Sequence, residues 1–124
     1  MPAKFITLKK RTSFQRAAKF GRRFVFPTFI LQTTPLFQLK ETVPLLEPQI
    51  AVGFTASKKV GNAVKRNYAK RRLRAALQQQ LAHLQPSPFI AYIFIARTAI
   101  LTADFTEVLA DMLTALERAQ EAAQ

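Results

Sequence analysis

Several chemistries are closed to this chain by what it lacks. It has no cysteine, so disulfides and thiolate metal sites are excluded. It has one histidine, His83, with no acid or serine suited to a triad nearby, which reads as a surface or helix-end residue. Acids are scarce: seven, against nineteen Lys and Arg. None occurs from Met1 to Lys40, and none from Pro48 to Ala103. Four of them, Glu107, Asp111, Glu117 and Glu121, are spread along one C-terminal helical stretch. A two-metal nuclease needs several convergent carboxylates, and no such cluster stands away from that stretch. There is no Walker-type phosphate loop, and Gly61 beside Asn62 is no dinucleotide fingerprint. No catalytic residue and no metal ligand is therefore expected. No apolar run reaches the eighteen residues of a membrane span. The N-terminus, MPAKFITLKKR, lacks the apolar core of a signal peptide, so the expected location is cytoplasmic, without a membrane partner.

What remains is charge and apolar surface. A chain of 124 residues, 49% hydrophobic, is expected to form one domain over 1–124 with a core of its own. The net charge of +12 calls for an anionic partner. Seventeen of the nineteen cations lie at or before Arg74. The centre of this distribution is Ala56 to Leu77, ASKKVGNAVKRNYAKRRLRAAL, with Lys58, Lys59, Lys65, Arg66, Lys70, Arg71, Arg72 and Arg74 and no acid. Asn62 is a good helix N-cap, and no Gly or Pro follows it in this stretch. Eight cations on about five turns repel one another unless a polyanion supplies the counter-charge. A solvated basic face is the bland reading; the favoured one is the docking surface of a structured RNA. On the charged side, Asn67 either hydrogen-bonds RNA or satisfies nearby backbone. Tyr68 either stacks on a base or sugar or packs on the rim of a sheet.

Periodicity places the other elements. Thr12 or Ser13 could cap a short helix reaching about Lys19 and ending at Gly21, with Phe14, Ala17 and Ala18 on one face and Arg16, Lys19 and Arg23 adding charge. Arg23 to Thr34 is aromatic and β-branched and reads as strand, split or edged by Pro27. Pro35, Pro44 and Pro48 punctuate an expected flexible connection. Gln49 to Ser57 is a strand with Ile50, Val52, Phe54 and Ala56 on one face, and Gly53 within it suggests close backbone approach. In the basic helix, Ala69, Leu73, Ala76, Leu77 and Leu84 mark the buried side, and Asn67, Arg71, Arg74 and Gln78 another face. Phe89 to Arg97 reads as a central strand covered on both sides. Thr102 or Asp104 caps a last helix with Phe105, Val108, Leu109, Met112, Leu113 and Leu116 along its apolar stripe. A sheet with helices packed on it is the economical fold. Most of the eleven phenylalanines belong to the core; Phe14, beside Arg and Lys, also suits stacking on single-stranded nucleotides.

Ser57 to Arg74, SKKVGNAVKRNYAKRRLR, resembles the signature of the bacterial ribonuclease P protein subunit. Leu8 to Arg11, Phe14 and Gly21-Arg22 resemble that family's N-terminal pattern, and the strands at Gln49 to Ser57 and Phe89 to Arg97 resemble those around its signature. The resemblance implies an α+β fold, an α/β sandwich like domain 2 of a ribosomal small-subunit protein. Its sheet would be four-stranded and mostly antiparallel, in the order α-β-β-β-α-β-α. It would contain a left-handed β-α-β crossover, against the right-handed sense of about 98% of such units. It implies a partner, the catalytic RNA subunit, and a substrate, precursor tRNA, whose 5′ leader the holoenzyme removes by endonucleolytic cleavage. The RNA would hold the active site and its Mg²⁺, with no cofactor on the protein and no obligate protein partner. Carried over by position, Lys58, Lys59, Lys65, Arg66, Asn67, Lys70, Arg71, Arg72 and Arg74 would face the catalytic RNA. Phe14, Arg16 and Tyr68 would serve the leader. This chain departs from the family pattern at Tyr68, where Arg is usual, and at Ala18, where a second aromatic is common. The alternative is a ribosomal or other structural RNA-binding protein with no processing role. A sequence-specific DNA binder is poorly supported, since nothing marks a helix-turn-helix pair or a dimer seam.

Overall fold

A computed structural model describes residues 4–39, 49–84, 86–87 and 89–123. In chain order the elements are β1 (Lys4–Thr7), α1 (Arg11–Phe20), β2 (Arg22–Val25) and β3 (Phe29–Pro35), then β4 (Gln49–Ala56), α2 (Ala63–Gln80), β5 (Ile90–Ala96) and α3 (Phe105–Ala123). Short 3-10 turns at Leu36–Leu39 and Thr98–Leu101 complete the set. The fold is α+β, with three helices on one sheet.

The sheet differs from expectation. It has five strands in the order β1-β4-β5-β3-β2. Two pairings, β1 with β4 and β4 with β5, are parallel; the other two are antiparallel. The four-stranded, mostly antiparallel sheet is thus corrected to a mixed one, and a strand precedes the first helix. The missed strand, KFIT, is too short to show a period. It becomes a strand because β4 offers it an edge, Phe5 opposite Ile50. β4 and β5 are parallel neighbours, so α2 is the crossover between them, as parallel pairing requires.

Pro27 divides β2 from β3, as its missing N–H predicts. The turn it makes is closed by Phe26 N–H donating to the Phe29 carbonyl at 2.9 Å. It is tied down by Thr28, whose N–H and hydroxyl both donate to Asp111 Oδ2 on α3, at 3.2 and 2.6 Å. The connection expected from Pro35 onward is ordered at its start, where the Leu36–Leu39 turn begins directly after β3. The rest of it, 40–48, lies outside the described residues.

Alternation along the strands gives the sheet two unlike faces. On one, Phe5, Phe54, Phe94, Phe29 and Phe26 form a continuous series of ring contacts, with neighbouring centroids 5.9, 5.8, 5.7 and 5.4 Å apart. α2 covers them with Ala69, Leu73, Ala76 and Leu77, and α3 with Val108, Met112, Ala115, Leu116 and Ala119. Burying one such Leu or Phe fully is worth about 1.5–3 kcal/mol, so this face supplies most of the stability. The other face is thin. Leu8, Ala17, Leu39, Ala51, Ala91 and Ile93 make its core under α1 and the Leu36–Leu39 turn. β5 contributes to both, Tyr92 and Phe94 to the first and Ala91 and Ile93 to the second, as expected of a central strand.

Two local expectations shift. α1 begins at Arg11 with Lys10 as its cap residue and no side-chain cap bond, so neither Thr12 nor Ser13 caps it. Its buried positions are Ser13 and Ala17, one turn apart, while Ala18 is exposed. Ala18 lies about 100° around the helix from Ala17, which is enough to turn it to solvent.

Candidate nucleic-acid interface

α2 starts where the sequence says it should. Asn62 Oδ1 accepts the Lys65 N–H at 3.0 Å, satisfying one of the free donors of the first turn. Gly61 before it has φ +147°, a region that L side chains avoid. The Lys65 side chain lies across Gly61, with its Cδ 2.6 Å from where a Cβ would stand. Upstream, the Val60 N–H donates to the Ser57 carbonyl at 3.0 Å. That turn buries Val60 and leaves Lys58 and Lys59 exposed.

The helix sorts its side chains by face. Ala69, Leu73, Ala76 and Leu77 are buried; α2 ends at Gln80, and Leu84 packs on the core from beyond its end. Asn67, Arg71, Arg74 and Gln78 are all exposed, as their spacing implied, together with Val64 and Lys65. The surface therefore offers Lys58, Lys59, Lys65, Arg71 and Arg74 with Asn67 among them, on a stretch without acids. Lys70 and Arg66 are half-buried. The Arg66 Nε is buried without a hydrogen-bond partner among the described residues.

Arg72 behaves differently. Its Nη1 donates to the Ile100 carbonyl at 2.7 Å. Its guanidinium sits 5.6 Å from the centre of the Tyr68 ring and 5.8 Å from that of Phe105. It thus pins α2 to the Thr98–Leu101 turn and to the start of α3, and holds Tyr68. Arg71 lies over the same tyrosine ring at 6.0 Å, and Tyr68 remains 41% exposed. Arg74 lies 5.4 Å from the Phe54 ring. These contacts spread the cations by cation–π attraction rather than by ion pairing.

The residues assigned to a leader do not share one helix or one face. Phe14 and Arg16 are on α1, and α1 and α2 cover opposite faces of the sheet, so Tyr68 is separated from them. Phe14 is half-buried, with its Cε1 2.6 Å from the position of a Gly53 Cβ. Gly53 is glycine because the Phe14 ring lies directly on the backbone of β4. Arg16 donates its Nε–H to the Gln38 carbonyl and lies 5.3 Å from the Phe20 ring, as does Lys19. Phe20 is an exposed aromatic between two cations that the sequence reading passed over. Its signal was available: Arg16 is four residues before it, Lys19 one before, and Gly21 ends the helix behind it.

Other side chains need no ligand. Tyr92 is buried, and its hydroxyl accepts the Ser87 N–H at 3.1 Å. Burial pushes its pKa above the ordinary value, and the Ser87 hydrogen bond opposes this. Among the described residues no group of three or more His, Asp or Glu could hold a metal ion, and no helix is long and apolar enough to cross a membrane.

Comparison with known proteins points to one family and to the same fold. The family model for ribonuclease P matches residues 2–120. The ribonuclease P protein component of Paramagnetospirillum magneticum is 41% identical over 119 residues, covering 95% of this chain and 85% of that protein. That of Nitratiruptor is 38% identical, covering 90% of each. Among solved structures, the RNase P protein of Staphylococcus aureus superposes with TM-score 0.65 at 25% identity, over 95% of this chain and 94% of that one. The RNase P protein of Thermotoga maritima gives TM-score 0.70 at 20% identity, over 91% and 96%, a likeness of fold.

Proposed function

Because the chain belongs to the ribonuclease P protein family, we propose that it acts as a single RNA-binding domain, the protein subunit of a ribonucleoprotein that removes the 5′ leader of precursor tRNA. The catalytic RNA docks on α2 and the turn before it. The observation that carries this is the surface of Lys58, Lys59, Lys65, Asn67, Arg71 and Arg74, which has no carboxylate in its own stretch. Lys70 flanks it. The half-buried Arg66, with its Nε unpaired among the described residues, is suited to a phosphate that completes it. Arg72 supports this surface through Ile100 and the aromatic rings instead of leading it.

The chain does no bond-breaking itself. Cleavage belongs to the RNA subunit, and so does the Mg²⁺ it needs; the few carboxylates among the described residues do not converge on an ion. The protein lowers repulsion between two RNAs and so raises affinity for the substrate. Phe14 and Arg16 border the leader on the α1 side, and Tyr68 supplies a stacking surface where the family usually has a cation. The β4–α2–β5 crossover takes the left-handed sense that the family resemblance implies. The assembly works in the cytoplasm, with no obligate protein partner.

The test is reconstitution with the catalytic RNA at low Mg²⁺. Leader cleavage is expected with both components and with neither alone. Arg66→Ala and Arg71→Ala should weaken assembly while the fold persists; normal assembly of both, in low and moderate salt, would count against α2 as the docking surface. Arg16→Gln should lower affinity for precursor tRNA more than for mature tRNA. Tight assembly without any gain in cleavage would favour a purely structural RNA-binding role.

A further inference from the structure

The two faces of the sheet are not equally secured. Under α2 and α3 lies the series of phenylalanine rings. Under α1 and the Leu36–Leu39 turn lie Leu8, Ala17, Leu39, Ala51, Ala91 and Ile93, three of them alanine. α1 has ten residues; Ser13 and Ala17 are its buried ones, with Phe14 half-buried beside them. Isolated helices shorter than about 12–15 residues are marginal in water, so α1 exists by virtue of its contacts. Its start adds little: Lys10 makes no side-chain cap bond, and the first turn holds no acid.

This face also carries unmet polar groups. Thr34 lies opposite Ala91 in the β3–β5 register, which places it on the α1 side, and it is 1% exposed. Its Oγ1 has no hydrogen-bond partner among the described residues, and neither has the buried Gln38 Oε1 in the Leu36–Leu39 turn. A buried oxygen left unmatched weakens the closed arrangement, and water reaches it once the layer above has lifted. The Gln38 carbonyl accepts the Arg16 Nε–H, which links the turn to α1. Strands fasten the chain on both sides of the helix. The Leu8 N–H donates to the Val52 carbonyl at 2.6 Å, and Arg22 pairs with Thr33. Residues 9–21 can therefore lift as a loop without breaking a strand.

We propose that α1 and the Leu36–Leu39 turn form one locally opening unit, which leaves the sheet while the strands, α2 and α3 stay folded. Phe14 and Arg16 belong to this unit, so a ligand held by them draws it closed. That closing step rests on the reading that they border the precursor leader; the opening does not. Affinity for the leader then depends on the closed fraction, and a tRNA without a leader lets the unit open.

The experiment follows amide hydrogen exchange by mass spectrometry, first in the full chain alone. Peptides from α1 should exchange about a hundredfold or more faster than peptides around Leu73 in α2, after correction for intrinsic rates. Low urea should speed α2 far more than α1, because local opening exposes little surface. Leu73→Ala should speed exchange in α2 about thirtyfold or more and leave α1 unchanged, because the closed and open forms lose the same packing. Thr34→Val should slow α1 about fivefold or more, and α2 by the same factor, because the cost it removes belongs to the closed form. Equal protection of α1 and α2, or equal acceleration of both by urea or by Leu73→Ala, would overturn the opening. In the complex reconstituted with the catalytic RNA, precursor tRNA should slow α1 about tenfold relative to mature tRNA. Equal protection by the two tRNAs, with the free chain behaving as expected, would overturn the coupling and count against the leader reading rather than against the opening.

Discussion

α2 and α3 are nearly equal in length, 18 and 19 residues, and cover the same aromatic face of the sheet. Their polar surfaces are opposites. α2 carries Lys65, Arg66, Lys70, Arg71, Arg72 and Arg74 and no acid; α3 carries Glu107, Asp111, Glu117 and Glu121 with Arg118 as its only base. Two such neighbours could have neutralised each other across their seam. The described side chains use other partners: Arg72 takes a carbonyl and two rings, Arg71 and Arg74 take rings, and Asp111 takes Thr28. α3 therefore reads as a helix made for the fold. α2 shares that apolar duty on one side and keeps single-sign charge on the other, which suits a polyanion and does little for stability. Glu107 in the first turn of α3 complements that helix's own dipole, whereas no acid does this for α2.

Leu73→Ala on the buried side of α2 should cost about 2–5 kcal/mol of stability, read by denaturant unfolding; a cost no greater than that of a surface arginine would break the contrast. Next, Asp111→Ala should cost about 1–3 kcal/mol by stranding the Thr28 donors, and the exchange of amides around Phe26 to Phe29 should speed up. Arg71→Gln should change stability by no more than about 0.5 kcal/mol. The same change should make the log–log salt slope of RNA assembly shallower by about 0.7–0.9, because one phosphate is no longer neutralised. Tyr92→Phe removes the acceptor of the Ser87 N–H and should cost about 1 kcal/mol at neutral pH; its dependence on pH is the finer readout. Burial raises the Tyr92 pKa in the folded state, so the native protein binds this proton more tightly than the unfolded chain does. Stability from this source is complete below the unfolded value of 10.0 and is lost as pH rises beyond it. The stability difference between the wild type and Tyr92→Phe should therefore narrow as pH rises beyond that value.

Long-period features were readable in the sequence. The cap at Asn62, the exposed run Asn67, Arg71, Arg74 and Gln78, the break at Pro27 and the two-sided strand β5 each follow from spacing within one element. The close approach at Gly53 was foreseen as a need, but not its cause, since Phe14 is on another element. What escaped depends on partners distant in sequence. Four residues of β1 carry no pattern until β4 lies beside them. Arg72 looks like its neighbours until Ile100, 28 residues on, arrives under it.

The position of β1 has an outcome for folding. Among the described residues, Lys4 to Thr7 pair with Gln49 to Val52, so this strand has no edge to join until β4 is in place. Long-range parallel pairings of this kind are slow to form. The β1–β4 ladder is therefore expected to be among the last parts of the sheet to lock.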